Sequence, residues 1–429
     1  MFRPKHALAL LLLAGAALAG CRHDQDRNTV RFRFWGDLDE VAIIEGMVHD
    51  FEAAHPGVHI ISERKPDAST YLDILLTEFA SHTAPDVIFV DTDRFDLLAD
   101  GGRLADLGPY LAHDKDLKAT DFYDAMTRRF TLDGKLMVLP RDIAPIACVY
   151  YNKALFRQAG LPYPKDDWTW DELRRDALAL TKRDAGGRAD RIGFADDWNL
   201  DDAWILAGGG SHVDDYAHPT RLTFAEGAGL EGLLFRWKLM QIDGVMPSSS
   251  DNQSLSGGSM ALFLNGKLGM FHSGIWKTPG FRKITAFDWD VAPFPRKAGV
   301  QPRYWCGGSG YAMRSDVANP DLCWTLIRYM AGPDGQRRIA ATGLAQPALK
   351  ALAASPAFLD GQAPANKKML LACAEHAQPS PAWKRWQEFG ITLFGPMTDP
   401  MWIKGYDGDP KALLQQVEQK GNAQYFGAK

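Results

Sequence analysis

The strongest constraint on the fold of this chain is a regular alternation of strand-like and helix-like segments near its start. Residues 29–35 (Thr-Val-Arg-Phe-Arg-Phe-Trp) alternate in polarity, which is typical of a strand. A helical pattern follows over residues 39–55, a second strand over 58–62, a second helix over 71–81 and a buried strand over 84–91. Alternating strands and helices predict a mostly parallel sheet covered by helices, so the predicted fold class is α/β.

The chain is too long for a single core of ordinary size. It has 429 residues, for which two lobes are the natural expectation. Breaks in the pattern at residues 139–145 and 300–308 are the best candidates for crossings between lobes. We therefore predict a first lobe of residues 29–140 plus about 306–355, and a second lobe of residues 141–305 plus about 356–429.

The segment after the first break predicts how the second lobe begins. Residues 146–151 are apolar and rich in Ile, Val and Tyr, which suits a strand buried on both faces, and Pro145 marks its expected start. A short helix is predicted over residues 153–158, with Gly160 as its C-terminal cap. The charged Arg141 and Asp142 stand at the entrance to this strand.

The N-terminus has the pattern of an export signal. Arg3 and Lys5 precede an apolar run over residues 7–20 that is too short to span a bilayer. The run ends in Leu-Ala-Gly before Cys21, which resembles the lipobox of bacterial lipoproteins and implies cleavage before Cys21 and lipidation of its thiol. Residues 21–28 then form a polar tether to the membrane, in a periplasm or on the outer face of the plasma membrane. An ordinary secretory signal with an incidental cysteine is the alternative.

Charge and composition argue against several other functions. Without residues 1–20, which hold two basic side chains and no acid, the net charge falls from −5 to −7, and this argues against a nucleic-acid surface. The 11 histidines are scattered, and the glycines at 208–210 lack the lysine of a phosphate loop, so no metal or other cofactor is expected. Four cysteines remain besides Cys21; their spacing is wide, three pairings are open, and no disulfide is predicted.

Several short segments, in a consistent order and spacing, resemble one family. They are Trp35-Gly36, His55-Pro-Gly-Val, Ala84-Pro-Asp-Val, Leu139-Pro with Tyr151-Asn-Lys, Trp168-Thr-Trp-Asp-Glu-Leu and Gly274-Ile-Trp276. Together they resemble the extracellular solute-binding proteins of carbohydrate ABC importers, the broad family that contains maltose-binding protein. The resemblance implies a type II-like periplasmic-binding-protein fold, whose two hinged lobes close on a ligand in the cleft. It also implies a non-enzymatic monomer that captures a sugar or oligosaccharide and delivers it to ABC transporter permease subunits.

The predicted ligand site combines this resemblance with the chemistry of sugars, which need hydrogen-bonding groups for their hydroxyls and flat rings for their apolar faces. In parallel α/β sheets, ligands lie beyond the carboxyl ends of the strands. The segment at residues 91–95 is similar to the family's sugar-binding segment, although Val90 replaces the aromatic residue that precedes it. Trp276 matches the family's cleft tryptophan, and either Trp383 or Trp386 matches a C-terminal one. The predicted ligand-binding residues are Trp35, Gly36, Asp37, Tyr71, Asp91, Asp93, Arg94, Asp142, Trp198, Asn199, Trp276, Trp305, Gly308, Ser309 and Trp383.

Many of these residues have a purely structural alternative. Asp37 could cap the helix that follows it, and Asp91 could hold a loop in place. Asp93 could pair with Arg94 on the surface, and Asp142 could pair with Arg141. Tyr71 could be a packing residue of its helix, and Gly307-Gly308-Ser309 could be a flexible hinge.

The function has alternatives as well. The same fold could bind glycerol phosphate, for which Arg94, Arg141 and Arg303 are available, or a polyamine. A secreted carbohydrate-active enzyme would need two carboxyl groups at a defined separation, which a sequence cannot show. The identity, linkage and length of the sugar stay open.

Overall fold

The computed structural model of the protein describes residues 28–36, 38–65, 67–187, 189–254 and 258–427. The predicted signal peptide, the predicted lipidation site Cys21, residues 21–27 of the tether and Asp37 lie outside the described residues. None of the helices in the described part is long and apolar enough to cross a lipid bilayer.

The strands are short and spread over the chain. In chain order they are β1 Thr29–Trp35, β2 His59–Lys65, β3 Val87–Asp91, β4 Thr131–Leu132, β5 Lys135–Leu136, β6 Leu139–Pro140, β7 Asp142–Pro145, β8 Cys148–Asn152, β9 Lys182–Arg183, β10 Ala189–Asp196, β11 Leu268–Ser273, β12 Trp289–Pro293, β13 Tyr304–Gly307, β14 Ser309–Met313, β15 Gln346–Pro347 and β16 Ala377–Gln378.

Helices fill most of the segments between the strands. The α-helices are Leu38–Ala54, Ala68–Ala80, Phe95–Ala99, Gly108–His113, Asp124–Arg129, Lys153–Gln158, Trp170–Leu180, Asp201–Ala207, Gly227–Gln241, Ser249–Ser254, Gly258–Leu264, Thr278–Phe281, Pro320–Ala331, Pro333–Thr342, Lys350–Ala353, Met369–Glu375, Trp386–Phe389, Gly395–Thr398 and Pro410–Tyr425. A π-helical turn, Gly390–Phe394, joins two of the C-terminal helices.

The sheet of the first lobe has the strand order β2-β1-β3-β14-β6. β1 runs parallel to β2 and β3, whereas β14 runs antiparallel between β3 and β6. Phe32 and Phe34 of β1 are buried, and Arg33 between them is buried as well because Glu63 and Glu78 pair with its guanidinium. The carboxyl ends of β1 and β3 meet at one edge of this sheet.

The sheet of the second lobe has the order β12-β8-β11-β10-β9. β10 and β11 run parallel, and β8 runs antiparallel to both β11 and β12. This sheet has its own core, in which Tyr150 and Trp204 are fully buried. Two sheets with separate cores confirm the predicted two-lobe α/β fold.

The two lobes are connected by neighbouring chain segments. β7 follows the first-lobe strand β6, and β13 precedes the first-lobe strand β14. β7 and β13 pair antiparallel, with Cys306 opposite Pro145 and Gly307 opposite Ala144, in a small sheet of order β15-β7-β13-β16. Gly308 lies at the second crossing, where a Cβ atom would be 2.4 Å from Met126 Sδ. A larger residue at this position would therefore have to displace the Met126 side chain.

The entry into the second lobe differs in detail from the expectation. A single strand over residues 146–151 was predicted, but Pro145 ends the separate strand β7, and β8 begins only at Cys148. The reason is that β7 pairs with β13 while β8 pairs with β11 and β12, so the chain changes sheets between them. The helix Lys153–Gln158 follows as predicted, because the Asn152 side chain accepts a hydrogen bond from Leu155 N–H at 3.1 Å.

Candidate functional site

At the carboxyl edge of the first sheet, Trp35 ends β1 and Asp91 ends β3. Arg94 lies beside both. Its backbone N–H donates to Asp91 Oδ1 at 2.9 Å, its guanidinium pairs with the same carboxylate, and its Cζ lies 5.5 Å from the centre of the Trp35 ring. Asp91 therefore holds the turn after β3, and Arg94 is its partner.

Asp93 extends from the same turn toward the other lobe. Its Oδ1 accepts a hydrogen bond of 2.7 Å from the Ser380 hydroxyl, which belongs to the segment after β16. Burial raises the pKa of Asp93 to about 6, and the negative charge of Asp91 adds to this effect. The carboxylate thus lies in a setting that favours either a proton or a positively charged partner.

The end of β10 in the second lobe is fixed by a buried charge cluster. Asp196 accepts hydrogen bonds from Arg236 and Trp204, both at 3.0 Å, and its Oδ1 lies 2.8 Å from His272 Nδ1. Burial acts to raise the pKa of Asp196, but the hydrogen bond to His272 and the charge of Arg236 outweigh it and lower the pKa. The same Arg236 donates to Asn199 Oδ1 at 3.1 Å, so the cluster sets the position of the loop that follows β10.

The end of β11 carries Gly274, Ile275 and Trp276. The Trp276 indole folds back over Gly274 so closely that a Cβ atom there would be 1.9 Å from the ring. Its ring also stacks on Trp198, with centroids 6.0 Å apart and planes at 25°, and it packs against the cores of both lobes. Glycine at position 274 is therefore what allows Trp276 to lie at the junction of the lobes.

A cavity of about 230 Å³ opens beside Asp93. Its polar wall is formed by Asp93, Asn199, Asp201, Asp202, His212, Gln387, Thr398 and Asp399, and its apolar wall by Ile205, Phe224, Trp305, Trp386, Phe389, Ile391 and Phe394 with Gly390 and Gly395. A second hollow of about 520 Å³, which includes Trp198 and Arg236, lies on the other side of Asn199 and Asp399. Asp93 reaches the cavity from the first lobe, and the second lobe supplies the remaining walls.

His212 connects the polar and the aromatic parts of the cavity. Its Nε2 lies 2.8 Å from Asp202 Oδ1, and its Nδ1 contacts the Tyr216 hydroxyl. The imidazole centroid is 4.8 Å from the ring of Trp305 and 5.5 Å from that of Trp386. His212 therefore lies in contact with both a carboxylate and two indole rings.

The cavity thus combines carboxylates with aromatic rings, which a hydroxyl-rich ligand with apolar faces requires. Residues 35–337 match the sequence profile of the bacterial extracellular solute-binding proteins. The chain belongs to this family.

Individual members resemble this solute-binding protein over nearly its whole length. The galactooligosaccharide-binding protein of Bacillus subtilis is 22% identical over 402 residues, which cover 91% of this chain and 88% of that protein. An ABC substrate-binding protein from Listeria monocytogenes, solved in complex with cycloalternan, superposes with a TM-score of 0.82 at 23% identity, over 94% of this chain and all of that one. Maltose-bound MalE3 of T. maritima superposes with a TM-score of 0.76 at 19% identity, over 91% and 98% of the two chains.

In this solute-binding protein the predicted residues fall into three groups. Asp93, Asn199 and Trp305 line the cavity. A second group, Trp35 with Asp91 and Arg94 on the first lobe and Trp198 with Trp276 at the junction, forms compact aromatic and ionic clusters at the strand ends. Gly36 lies beside Trp35, where Glu40 Oε2 would be 2.8 Å from an added Cβ atom.

The residues of the third group are buried or form hydrogen bonds within the protein. Tyr71 is fully buried, and its hydroxyl donates to Phe89 C=O at 2.5 Å, which is the helix-packing alternative. Asp142 is buried at the first crossing, where Oδ1 accepts from Ser309 N–H at 2.9 Å and Oδ2 accepts from the Ser309 hydroxyl and from Arg141. The fold itself uses the polar groups of Tyr71, Asp142 and Ser309, and Gly308 is closely packed at the crossing. None of these four residues lines the cavity beside Asp93.

The structure also separates the two C-terminal tryptophans. Trp386 lines the cavity beside Trp305, with ring centroids 6.1 Å apart. Trp383 instead packs on Phe426 at 4.7 Å and on Tyr425 at 5.4 Å. The prediction of Trp383 is therefore replaced by Trp386, which the sequence had left open as the alternative register.

Several residues of the cavity were not predicted. Asp201, Asp202 and Asp399 are three of the chain's many acids, and His212 is one of its scattered histidines. Asp201 and Asp202 begin the helix Asp201–Ala207 directly after the loop with Trp198 and Asn199. Their closeness to those predicted residues is the one sequence signal that could have identified them.

Proposed function

We propose that this protein captures a saccharide in the cleft between its lobes and delivers it to the permease subunits of an ABC importer. The observation that carries the proposal is the cavity beside Asp93, in which carboxylates from both lobes face the rings of Trp305 and Trp386. Ring stacking and charge-assisted hydrogen bonds are the two interactions by which proteins hold sugars. A hinge at the paired strands β7 and β13 would allow the lobes to close over the ligand.

The relatives support a saccharide as the solute. The similar protein of Bacillus subtilis is named for galactooligosaccharides, and the Listeria monocytogenes and T. maritima structures hold cycloalternan and maltose. For this chain we infer the same broad ligand class, and the second hollow beyond Asn199 offers room for more than one sugar ring.

Three arginines made a phosphate ligand an alternative in the sequence analysis. Their partners in the structure disfavour this alternative. Arg94 pairs with Asp91, and the buried Arg141 pairs with Asp142 and Glu40. Arg303 donates to Gly210 C=O and to Gln378. Each guanidinium thus already has at least one partner in the protein, whereas a phosphate needs several free donors.

We further propose that Cys21 carries a lipid that anchors the protein outside the cytoplasm, and that the protein acts as a monomer. The lipobox-like segment before Cys21 supports the anchor. Labelling with a radioactive fatty acid in cells tests it: the full-length chain should incorporate label and the Cys21→Ala chain should not. Equal labelling of both chains would exclude this cysteine as the attachment site.

The proposed function is tested by calorimetric titration with mono-, di- and oligosaccharides, glycerol phosphate and spermidine. A saccharide that binds should stabilise the protein by about 2.7 kcal/mol at 100 times its dissociation constant, and it should alter tryptophan fluorescence. Trp324→Ala, which removes a ring that stacks on Tyr110 far from the cavity, is the control and should bind normally. Release of reducing sugar would indicate an enzyme instead, and the absence of any saccharide binding would refute the proposal.

A further inference from the structure

The charged side chains that line the cavity are almost entirely acidic. Asp93, Asp201, Asp202 and Asp399 all reach it, and His212 is the one titratable base among the described lining residues. No lysine or arginine is among the residues that the structure describes in this wall. Carboxylates only accept hydrogen bonds, so this wall is suited to a ligand rich in donors.

Two of these carboxylates already have partners inside the protein. Asp201 Oδ1 lies 2.9 Å from Arg236 Nη1, with both groups buried. Asp202 Oδ1 lies 2.8 Å from His212 Nε2. Arg236 holds Asp201 from behind the cavity wall, whereas His212, the neighbour of Asp202, lines the cavity itself.

The other two carboxylates lack a cationic partner. Over the described ranges of the chain, neither Asp93 nor Asp399 has a basic group within 4.0 Å. Asp93 has only the Ser380 hydroxyl, a neutral donor, at 2.7 Å. The positive charge of Arg94 lowers the pKa of Asp93 and the negative charge of Asp202 raises it, and burial together with Asp91 keeps the pKa raised to about 6. Asp93 and Asp202 both line the cavity.

The remaining walls suit a cation that is attached to an apolar frame. Trp305 and Trp386 present indole rings, and the negative face of an indole attracts ammonium groups. Phe224, Phe389 and Phe394 complete the apolar side. A ligand in this cavity is therefore offered negative charge, π-faces and hydrocarbon contact.

We propose that the preferred ligand is a saccharide that carries a basic nitrogen, as an amino sugar does, with its ammonium group bound between Asp93 and Asp202. This inference rests on the proposed saccharide-binding function and specifies its substrate class. A neutral sugar would leave Asp93 with no cation within 4.0 Å and only the more distant charge of Arg94 as compensation, whereas an ammonium group donates up to three hydrogen bonds with charge assistance. The sugar ring would lie against Trp305 and Trp386.

The test uses ligand pairs that differ only in the nitrogen. Calorimetry near neutral pH compares glucosamine with glucose, galactosamine with galactose, and the β-1,4-linked glucosamine disaccharide with cellobiose. In at least one pair we expect the amino sugar to bind about tenfold more tightly or better, which corresponds to about 1.4 kcal/mol. The N-acetylated disaccharide, which has the nitrogen but not its charge, should behave like cellobiose.

Asp93→Asn tests the assigned carboxylate. Because asparagine can still accept the Ser380 hydrogen bond, the variant should fold and should lose most of the preference for the amino sugar. Asp399→Asn provides a second variant on the exposed rim of the cavity. Asp334→Asn removes an exposed carboxylate, on the helix Pro333–Thr342, that pairs with Arg337, and it should keep the full preference.

The outcomes separate this inference from the proposed function. If neutral sugars bind as tightly as their amino counterparts in every pair, the inference is overturned and saccharide binding stands. If no saccharide of either kind binds, both are overturned. Tighter binding of spermidine than of every amino sugar would also overturn the inference, because it would show that the positive charge alone, without a sugar ring, determines binding. An undiminished preference in a folded Asp93→Asn variant would exclude the assigned role of that residue.

Discussion

Asp93 and Ser380 are joined by a hydrogen bond of 2.7 Å that connects the first lobe to the C-terminal segment, across 287 positions of the sequence. Two ion pairs also cross between the lobes, from Lys283 to Asp39 at 2.9 Å and from Lys384 to Asp100 at 2.6 Å. The ion pairs are exposed and screened by solvent, whereas Ser380 is buried. The serine contact is therefore the one expected to matter most for closure.

Ser380→Ala should weaken saccharide binding by about two- to tenfold, because a hydrogen bond worth about 0.5–1.5 kcal/mol is lost from the closed arrangement. Calorimetry measures the affinity, and small-angle X-ray scattering should show a larger radius of gyration. Ser81→Ala, at an exposed helix end of the first lobe, is the matched control. Unchanged affinity and scattering in Ser380→Ala would show that the bond does not stabilise closure.

The two C-terminal tryptophans should have opposite effects. Trp386→Ala should lower saccharide affinity about tenfold, because it removes a stacking surface from the cavity wall. Trp383→Ala should leave affinity nearly unchanged and lower the unfolding free energy by about 1–3 kcal/mol, because its ring packs on Phe426 and Tyr425. Calorimetry and denaturant titration of both variants decide the matter, and the reverse result would restore Trp383 as the ligand contact.

Gly274→Ala should displace the Trp276 indole, since the added methyl group would lie 1.9 Å from the ring. We expect about tenfold weaker saccharide binding, and near-UV circular dichroism should change in the tryptophan region. The control is Gly280→Ala, where the nearest atom to the new methyl group is the Met260 methyl group at 3.4 Å. If Gly274→Ala binds and absorbs like the original protein, the ring is not fixed by this glycine.

Asp142→Ala should destabilise the fold by about 2–4 kcal/mol, because it leaves the buried Arg141 guanidinium with fewer partners and removes the acceptor of two Ser309 hydrogen bonds. Denaturant titration measures this loss against Asp288→Ala, which removes an exposed carboxylate. A variant with normal stability and weakened ligand binding would instead return Asp142 to the list of ligand contacts.

Glu418→Gln should increase stability in alkaline solution. Burial raises the pKa of Glu418 to about 7, against the opposing effect of its hydrogen bond from Ala225 N–H at 2.6 Å. The ionised carboxylate therefore opposes folding above about pH 7, and this penalty disappears as the pH falls below the ordinary value of 4.5.

The neutral glutamine removes that penalty, so the gain should be about 1–3 kcal/mol at alkaline pH and near zero in acid. Denaturant titrations on both sides of this range measure it. Glu231→Gln, whose carboxylate is exposed and pairs with Lys297, should show no such pH dependence. A gain that is equal at both pH values would mean that ionisation of Glu418 is not its cause.

The sequence by itself determined the structural elements that depend on patterns of neighbouring residues. Alternating polarity predicted β1, Asn152 caps the helix Lys153–Gln158 at its predicted start, and Asp133 and Gly134 adopt the positive φ angles of a tight turn between β4 and β5. These features depend on residues within a few positions of one another. The order of such segments also carried the family resemblance, and with it the two-lobe fold.

Only the tertiary structure decided which predicted polar residues are available to a ligand. Asp142 is bound to Ser309, 167 positions away, and Asp93 is bound to Ser380, whereas Asp202 and His212 meet in a cavity that no motif had indicated. Hydrogen bonds and ion pairs act over about 3 Å, so they depend on how distant segments approach one another. The types of residues specify what chemistry is possible, and the folded arrangement selects which of them face the cavity.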